Sequence, residues 1–209
     1  MPLSTFDYEL MLSNKVLASN TLSIALGANI SSPIGSPSKT LIAVRPLIEK
    51  TICEWISLSL KEEIHIQEIY SCMNWDWSPI FETDPIGGPP SQPKYMNAVM
   101  LVKGGPIDLI EKNEIILLKL LKRILELEKT FGRKRTENSS NCEPRSIDID
   151  LLGWGDLQIN SKDLVIPHPR LLERSFVIFP LAATLSNSQT IPKQLKPQKD
   201  WPEKIDFFA

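Results

Sequence analysis

The chain has 209 residues, of which 42% are hydrophobic and 23% charged, so it is long enough for one domain with extensions and can build a hydrophobic core. This composition excludes a wholly disordered chain and the collagen-like and low-complexity classes. The 23 Lys and Arg residues against 25 Asp and Glu residues give a net charge of −2, which disfavours a non-specific nucleic-acid binder, and no nucleic-acid partner is expected.

Residues 1–20 show no strong periodicity and are predicted to be an N-terminal extension. Asp7 and Glu9 come early and Lys15 is the only basic residue there, unlike the charge order of a secretory signal. No apolar run approaches the roughly 18 residues that a membrane-spanning helix needs. The 3 cysteines include no Cys-x-x-Cys pair, which argues against a disulfide framework or a zinc site. We therefore expect a cytoplasmic protein with no membrane partner.

Short apolar segments alternate with turn-rich loops in the first half of the chain. Residues 21–26 are predicted to be a strand that is closed by the turn Gly27-Ala28-Asn29. Residues 40–58 have apolar side chains at helical spacing, but Pro46 interrupts the pattern and either kinks the helix or marks its true start. Further on we predict extended segments at 64–70 and 77–83, a bend at 72–76, a loop at 84–93 and a buried strand at 95–102.

Helical periodicity in the second half runs from Leu109 to Phe131, and Gly132 is the predicted C-terminal cap. After it we predict a polar loop at 133–145, a strand at 146–152, a brief helix at 171–174 and a peripheral tail at 186–209. Strands and two long helices without a strict β-α-β-α order predict an α+β sandwich.

The sharpest local feature is the pair Asp148 and Asp150, which follows Arg145 in the sequence. Side chains two positions apart share a face of a strand, about 6.6 Å apart along the chain, so both carboxylates project together. The two acids would raise each other's pKa unless a cation relieves the repulsion, and they suit a hard ion such as Mg²⁺ that also binds substrate phosphates. The alternative is a solvated edge strand with acidic side chains pointing outward.

A cationic loop precedes this strand and contains Arg133, Lys134, Arg135 and Arg145. Guanidinium groups bind phosphate through paired hydrogen bonds, and a loop at a helix end can fold over a ligand. An ordinary solvated turn is the alternative for the arginines alone. Combined with the acidic pair, they are typical of magnesium-dependent phosphoryl transfer, although the P-loop sequence GxxxxGK[ST] is absent.

Three more side chains are ambiguous when each is taken singly. His168 lies between two prolines in a stiff extended segment, where it could contact a phosphate or a ribose or be purely structural. Tyr95 and Phe176 lie near the ends of loops, and core packing is the simplest explanation for each of them.

Several motifs follow one another along the chain. They begin with ALGAN at 25–29, FETDPIG at 81–87, QPKYMNAV at 92–99 and ExxxGRxR at 128–135. They continue with PRxIDIDL at 144–151, PHP at 167–169 and RxF at 174–176. In this order the motifs resemble the 6-hydroxymethyl-7,8-dihydropterin pyrophosphokinases of the folate pathway, and the resemblance defines a domain over residues 21–185.

The resemblance implies a fold, a reaction and a set of cofactors. The fold would be a ferredoxin-like α+β sandwich, in which helices pack on a mainly antiparallel sheet. The protein would be a diphosphotransferase that moves pyrophosphate from ATP to 6-hydroxymethyl-7,8-dihydropterin and releases AMP. Two Mg²⁺ ions would be its cofactors, ATP its co-substrate, and a monomer is expected.

The resemblance also implies roles for individual residues, but it assigns no general base. Asp148 and Asp150 would bind the metal ions, Arg133 and Arg145 would be catalytic, and the pterin ring would stack between two aromatic side chains. The implied pterin contacts are Gly27, Thr83, Ile86, Tyr95, Asn97 and Phe176. The implied ATP contacts are Glu128, Arg133, Arg135, His168 and Arg174.

The chain departs from the family pattern near the cationic loop and the pterin segment. Glu143 stands where the family usually has Gly, Cys142 where many members have Trp, and Asp84 replaces an apolar residue or proline. Closure of the loop and handling of ATP could therefore differ. Two alternatives stay open: an RNA-binding module that stacks bases on aromatic side chains, and an inactive relative that binds pterin without turnover.

Overall fold

The computed structural model describes residues 20–61, 64–135, 143–186 and 197–199. The strands in this part of the chain are β1 (Leu22–Ala28), β2 (Asn74–Trp77), β3 (Ile80–Thr83), β4 (Tyr95–Lys103), β5 (Asp148–Trp154), β6 (Ile159–Asn160), β7 (Val165–Ile166) and β8 (Pro197–Lys199). The α-helices are α1 (Pro37–Leu60), α2 (Ile66–Cys72), α3 (Glu114–Thr130) and α4 (Ser175–Ser186). A short 3-10 helix covers Gly105–Leu109.

The main sheet has 6 strands in the order β5-β1-β4-β3-β8, and β2 pairs with β4 as well. All of its pairings are antiparallel, and β6 and β7 form a separate hairpin. Strand β1 lies between β4 and β5, and near its end Gly27 is opposite Asn97 of β4 on one side and opposite Asp148 of β5 on the other. This register brings segments that are far apart in sequence to one end of the sheet.

Helices α1 and α3 cover one face of the sheet. Leu22, Ile24 and Leu26 of β1 point into this layer and are almost completely buried. Trp55 of α1 fastens the two helices together, since its Nε1 donates a hydrogen bond of 2.9 Å to the carbonyl of Ile116. This face holds the larger core cluster, and its burial supplies most of the hydrophobic stabilisation.

Helix α4 packs against the opposite face of the sheet. Ala25, Val99 and Leu101 point toward it and form a second cluster with Val177 and Leu181. Helices therefore pack on a mainly antiparallel sheet, as the predicted ferredoxin-like α+β sandwich requires, and α4 adds a layer on the second face.

The ends of the two long helices agree with the cap chemistry of the sequence. Ser36 caps α1, which runs through Pro46 without a break, so this proline lies inside the helix and does not mark its start. Asn113 caps α3 by accepting a 3.0 Å hydrogen bond from the amide of Ile116. Gly132, with a φ of 80°, follows the last turn of α3 as predicted, because the left-handed region favours glycine.

Three local predictions were wrong. Residues 64–70 were expected to be extended, but they lead into helix α2, on which the fully buried Ile69 contacts the core. The expected bend at 72–76 runs into strand β2, and the expected brief helix at 171–174 is a turn that precedes α4. For α2, the ambiguous apolar pattern is decided by the packing of Ile69 in the core.

The predictions for the two ends of the chain fall mainly outside the described residues. Residues 1–19 of the expected extension are not among them. Of the expected tail beyond α4, the described part is β8, which pairs with the outer edge of β3. Each helix in the described ranges is too short or too polar to cross a lipid bilayer.

Candidate active site

A cleft opens between the sheet and the start of α4. All the residues predicted to bind the pterin or the metal line it, together with two of the predicted arginines. These residues are Gly27, Thr83, Ile86, Tyr95, Asn97, Arg145, Asp148, Asp150, Arg174 and Phe176. The structure therefore brings together one end of β1, β3, β4 and β5, the loop after β3 and the first turn of α4.

The acidic pair occupies one wall of this cleft. Asp148 and Asp150 share a face of β5, while Ile149 between them is 2% exposed and points into the core. Their side chains are 18% and 31% exposed, although β5 is the last strand of the sheet. Burial raises the pKa of Asp148, and the negative charge of Asp150 is the second cause of this rise. The acids therefore face an enclosed space that favours a cation beside them.

Four arginines surround the acidic pair. Arg145 Nη1 lies 2.5 Å from Asp148 Oδ2, and Arg174 Nη1 lies 3.1 Å from Asp150 Oδ2. The Nη2 atoms of Arg133 and Arg135 lie 3.7 Å and 3.8 Å from Asp148 Oδ1. These guanidinium groups converge from the ends of α3, β5 and α4, so a polyanion placed here would meet several cations at once.

Arg133 has a further property that suits an anionic ligand. Its Nε is buried and has no hydrogen-bond partner among the described residues. Burial lowers the pKa of its guanidinium, and the neighbouring charges of Arg145 and Arg135 lower it further against the opposing effect of Asp148. An added anion would supply both the missing hydrogen bond and the missing negative charge.

Glu128 lies beneath the acidic pair and is fully buried. Its Oε1 accepts a 2.8 Å hydrogen bond from the backbone amide of Ile149, and its Oε2 lies 2.6 Å from Arg135 Nη2. Burial raises the pKa of this carboxyl, while Arg135 opposes the rise. Glu128 thus ties the end of α3 to the acid-bearing strand, and its contact with ATP stays a prediction.

His168 is fixed beside β5 rather than in the lining of the cleft. Its backbone amide donates a 2.8 Å hydrogen bond to the carbonyl of Leu152, and its Nδ1 accepts a 3.1 Å bond from the amide of Arg170. Burial lowers its pKa, which favours the neutral ring. Because Nδ1 accepts, the ring proton resides on Nε2, which is then a donor for an anionic oxygen.

The other half of the cleft suits a flat polar heterocycle. Tyr95 and Phe176 line it from β4 and from α4. Asn97 Nδ2 donates a 2.8 Å hydrogen bond to Thr83 Oγ1, which turns its Oδ1 toward Gly27. A Cβ atom on Gly27 would lie 2.9 Å from that oxygen, so the absence of a side chain keeps an amide acceptor accessible.

The acidic pair also fits a magnesium ion. Among the described residues no group of three or more His, Cys, Asp or Glu side chains comes together, so the ligand set is limited to the two carboxylates. Mg²⁺ is commonly bound through one or two carboxylates and completes its shell with phosphates and water. The donor set of Asp148 and Asp150 therefore fits the ion that the sequence predicted.

Sequence reasoning missed two polar residues at this site. Arg170 lines the cleft, and its position two residues after His168 was the available indication. Asn29 follows β1 and joins two loops beside the cleft, although the sequence marks it only as part of a turn and of the ALGAN motif, with no role of its own. Of the departures from the family pattern, Glu143 contributes its carbonyl to Tyr95 and Arg145, and Cys142 lies outside the described residues.

Fold and site together define a ferredoxin-like α+β protein whose cleft joins a carboxylate pair and an arginine cluster to an aromatic pocket. Residues 23–186 match the family model described as 7,8-dihydro-6-hydroxymethylpterin-pyrophosphokinase (HPPK). This match covers more than half of the chain, and the chain belongs to that family.

Relatives from bacteria and plants support the same assignment. The 2-amino-4-hydroxy-6-hydroxymethyldihydropteridine pyrophosphokinase of Synechocystis is 36% identical over 115 residues, which cover 55% of this chain and 49% of the relative. The protein of that name from Helicobacter pylori is 27% identical over 164 residues, 78% of this chain and 80% of the relative. A "Folate synthesis bifunctional protein" of Arabidopsis thaliana is 35% identical over 127 residues, 61% of this chain and 24% of the relative. The chain thus spans between a quarter and a half of some of these relatives.

Proposed function

We propose that this protein transfers pyrophosphate from ATP to the hydroxymethyl oxygen of 6-hydroxymethyl-7,8-dihydropterin, giving AMP and the pterin diphosphate. The observation that carries the proposal is the direct adjacency of an arginine-ringed carboxylate pair and an aromatic pocket in a single cleft. Family membership and the names of the relatives support it. We also propose that the enzyme is a monomer.

In this reaction the hydroxymethyl oxygen attacks the β-phosphorus of ATP. A bond forms between that oxygen and the β-phosphorus, the bond from the β-phosphorus to the oxygen shared with the α-phosphorus breaks, and AMP leaves with the shared oxygen. The hydroxyl proton passes to solvent, because no side chain of the cleft is assigned as a general base. Catalysis then depends on holding the two substrates in line and on neutralising charge.

Asp148 and Asp150 would hold two Mg²⁺ ions. When bound, these ions supply positive charge that offsets the charge on the transferred group and aligns the attacking and leaving oxygens. The two carboxylates would contribute fixed oxygen ligands, since β5 pairs with β1 along its length and Asp148 lies opposite Gly27. A ligand pair fixed in this way loses little conformational freedom on binding.

The arginines would bind the phosphates. In the structure Arg145 and Arg174 neutralise the two carboxylates directly. When cations take over that task, both guanidinium groups become available to phosphate oxygens next to the reacting phosphorus. Arg133, with its unsatisfied Nε, would contact the transferred group, while Arg135 and the Nε2 of His168 would hold the rest of the triphosphate.

Tyr95 and Phe176 would stack on the two faces of the pterin, because polarised aromatic rings stack well on a planar heterocycle. The amide of Asn97, with the backbone around Thr83 and Ile86, would bind the edge of the ring. In this arrangement the hydroxymethyl group would point toward the acidic half of the cleft.

Product analysis tests the proposal. The purified protein is incubated with Mg²⁺, ATP and the reduced hydroxymethylpterin, and nucleotides are separated chromatographically. We expect AMP and pterin diphosphate in equal amounts, and EDTA should abolish both. ADP as the nucleotide product, or no product at saturating substrate, would contradict the proposal, and tight pterin binding without any AMP would identify the inactive relative.

A further inference from the structure

A groove opens in the helical layer formed by α1 and α3, on the face of the sheet opposite the candidate active site. Its walls are the last turns of α1 and the outer side of α3. The lining includes Trp55, Leu58, Lys119, Lys122, Arg123 and Glu126. Neither the family assignment nor the proposed reaction gives this groove a role.

The groove has an apolar base and an apolar rim. Trp55 is buried at its base, and Leu58, about one turn further along α1, is 62% exposed. On α3 the exposed Ile115 lies about one turn before Lys119, so it extends the apolar surface along the same side of that helix. Large exposed apolar side chains beside a groove are typical of an interaction surface.

The groove also carries positive charge. Lys119 and Lys122 are exposed, and neither forms an ion pair within the part of the chain that the structure describes. Arg123 is already neutralised, because its Nη1 lies 3.1 Å from Oε2 of Glu54, and Glu126 adds one negative charge to the lining. Two available ammonium groups beside an apolar rim therefore fit a ligand that combines acidic and apolar side chains.

The start of β1 lies at the same end of the helical layer. Leu22 is opposite Trp154 in the sheet, and the ring of Trp154 packs edge-on against Trp55 with ring centroids 5.3 Å apart. The carbonyl of Thr21 accepts a 2.9 Å hydrogen bond from the amide of Gly155, which follows Trp154. The chain therefore enters the described structure close to the base of the groove.

The segment that precedes β1 has a composition that suits this groove. Asp7 and Glu9 carry the only charged side chains in residues 1–14. The apolar residues around them are Leu3, Phe6, Leu10, Met11 and Leu12. The 10 residues between Glu9 and Asn20 can span up to about 33 Å, which exceeds the roughly 25 Å length of the 17-residue helix α3. The two acids can therefore reach either lysine.

We propose that residues 1–14 bind in the groove between α1 and α3 of their own chain. Asp7 and Glu9 then lie beside Lys119 and Lys122, and the apolar side chains of the segment cover Leu58. Because the segment is tethered at β1, its effective concentration at the groove is high, and a contact that is weak between separate molecules suffices. This surface is remote from the cleft, so the inference does not rest on the proposed reaction.

Zero-length crosslinking of the full chain tests this contact. Unlabelled and ¹⁵N-labelled protein are mixed in equal amounts and treated with a carbodiimide, which joins a carboxyl group to an amine in contact with it, and linked peptides are identified by mass spectrometry. We expect Asp7 or Glu9 to be linked to Lys119 or Lys122 within one isotopic form. Lys39, roughly 28 Å from Leu58 along α1, is the reference lysine and should not be linked.

The substitution Leu58→Glu provides a variant with a matched control. It removes apolar surface from the rim and places a negative charge beside the acids of the segment, so the yield of these links should fall at least about fivefold, the upper range for one exposed ion pair. Ile34→Glu makes the same change at a similarly exposed position, 55% against 62%, in the loop before α1. It should leave the yield unchanged.

A second measurement does not depend on the folding of Leu58→Glu. Acetylation of Lys119 and Lys122 should be about threefold slower in the natural protein than in the double variant Asp7→Asn, Glu9→Gln, while Lys39 reacts equally in both. Links between the two isotopic forms would show that a second copy occupies the groove, and they would overturn the proposal. It would also be overturned by links that reach Lys39 as often as Lys119 and Lys122, by an absence of links to these two lysines, or by equal acetylation rates in the two proteins.

Discussion

The charge of Asp150 is the residue-scale feature on which the proposed chemistry depends most directly. Asp150→Asn keeps the size of the side chain and removes its charge, and the partly exposed position tolerates an amide. We expect kcat to fall at least about a hundredfold, comparable with the loss of one electrostatic group at other active sites. Pterin affinity and the thermal midpoint should change little. Near-normal turnover in steady-state assays would refute the metal-binding role.

Gly27 provides a second test at the residue scale, since its surroundings leave no room for a side chain. In Gly27→Ala the new methyl group would meet Asn97 Oδ1 at 2.9 Å and displace the amide that we propose binds the pterin. We expect about a tenfold loss of pterin affinity, which corresponds to roughly 1.4 kcal/mol, without loss of nucleotide binding. Gly153→Ala is the control, because its methyl group would lie an ordinary 3.5 Å from Ser23 Oγ. Equal effects of the two substitutions on pterin affinity would contradict this assignment.

The predictability of the site differs from residue to residue. The shared face of Asp148 and Asp150 follows from strand alternation, so it could be predicted from the sequence. Asn29 could not, because its partners Gln92 and Arg145 lie 63 and 116 positions away. These contacts depend on the pairing of β1 with both β4 and β5, which local patterns do not specify.

Among the elements, helix α2 owes its position to a buried carboxylate. Glu49 of α1 is 2% exposed and accepts hydrogen bonds from Trp77 Nε1 at 2.7 Å, from Tyr70 at 3.1 Å and from Arg45 at 3.3 Å. Three donors from α1, α2 and β2 therefore compensate the buried charge. Arg45 also lies over the Trp77 ring at 5.1 Å, which fastens the same corner.

Because Tyr70 belongs to this network, the free energy of unfolding depends on pH in the alkaline range. Burial, followed by the charge of Glu49, raises the pKa of Tyr70 from 10.0 to about 12. The unfolded chain loses the hydroxyl proton of Tyr70 near pH 10, while the folded protein keeps it. The contribution of Tyr70 to the free energy of unfolding is therefore fully present below pH 10 and disappears as the pH rises toward 12. Tyr70→Phe should therefore flatten the decline of unfolding free energy above pH 10, and it should cost about 1–3 kcal/mol near pH 7, because a hydrogen bond to a charged group is lost.

Urea unfolding of the natural protein and Tyr70→Phe at several pH values provides the measurement. Burial also raises the pKa of Cys53 to about 12. Cys53 therefore adds a similar pH dependence to the unfolding free energy of both proteins, and this effect cancels when they are compared. Parallel curves for the two proteins above pH 10 would show that Tyr70 is not linked to folding in this way.

The same corner explains why the sequence misled us about α2. The segment around Ile64 to Tyr70 has apolar residues at spacings that fit both a strand and a helix, and a 7-residue helix has little intrinsic stability. Burial of Ile69 and the contact between Tyr70 and Glu49 decide in favour of the helix. The long strands and helices were predictable, since their periodicity extends over many residues.

At the scale of the whole molecule, net charge gave no indication of the site. The chain carries −2 overall, yet the cleft gathers Arg145, Arg170 and Arg174 around Asp148 and Asp150. Folding thus concentrates cations at one place on a slightly acidic protein, as the proposed binding of a triphosphate requires. The composition disfavours a non-specific nucleic-acid binder, but it gives no information about a cluster of cations at one cleft.

The fate of the individual phosphates of ATP tests the central claim most directly. Single turnovers are run with ATP labelled with ³²P at the α, β or γ position, and the pterin product is separated from the nucleotides. We predict that the β and γ labels both appear in the pterin product in equal amounts and that the α label stays entirely in AMP. Transfer of the γ label alone, with the β label retained in ADP, would contradict pyrophosphate transfer at this cleft.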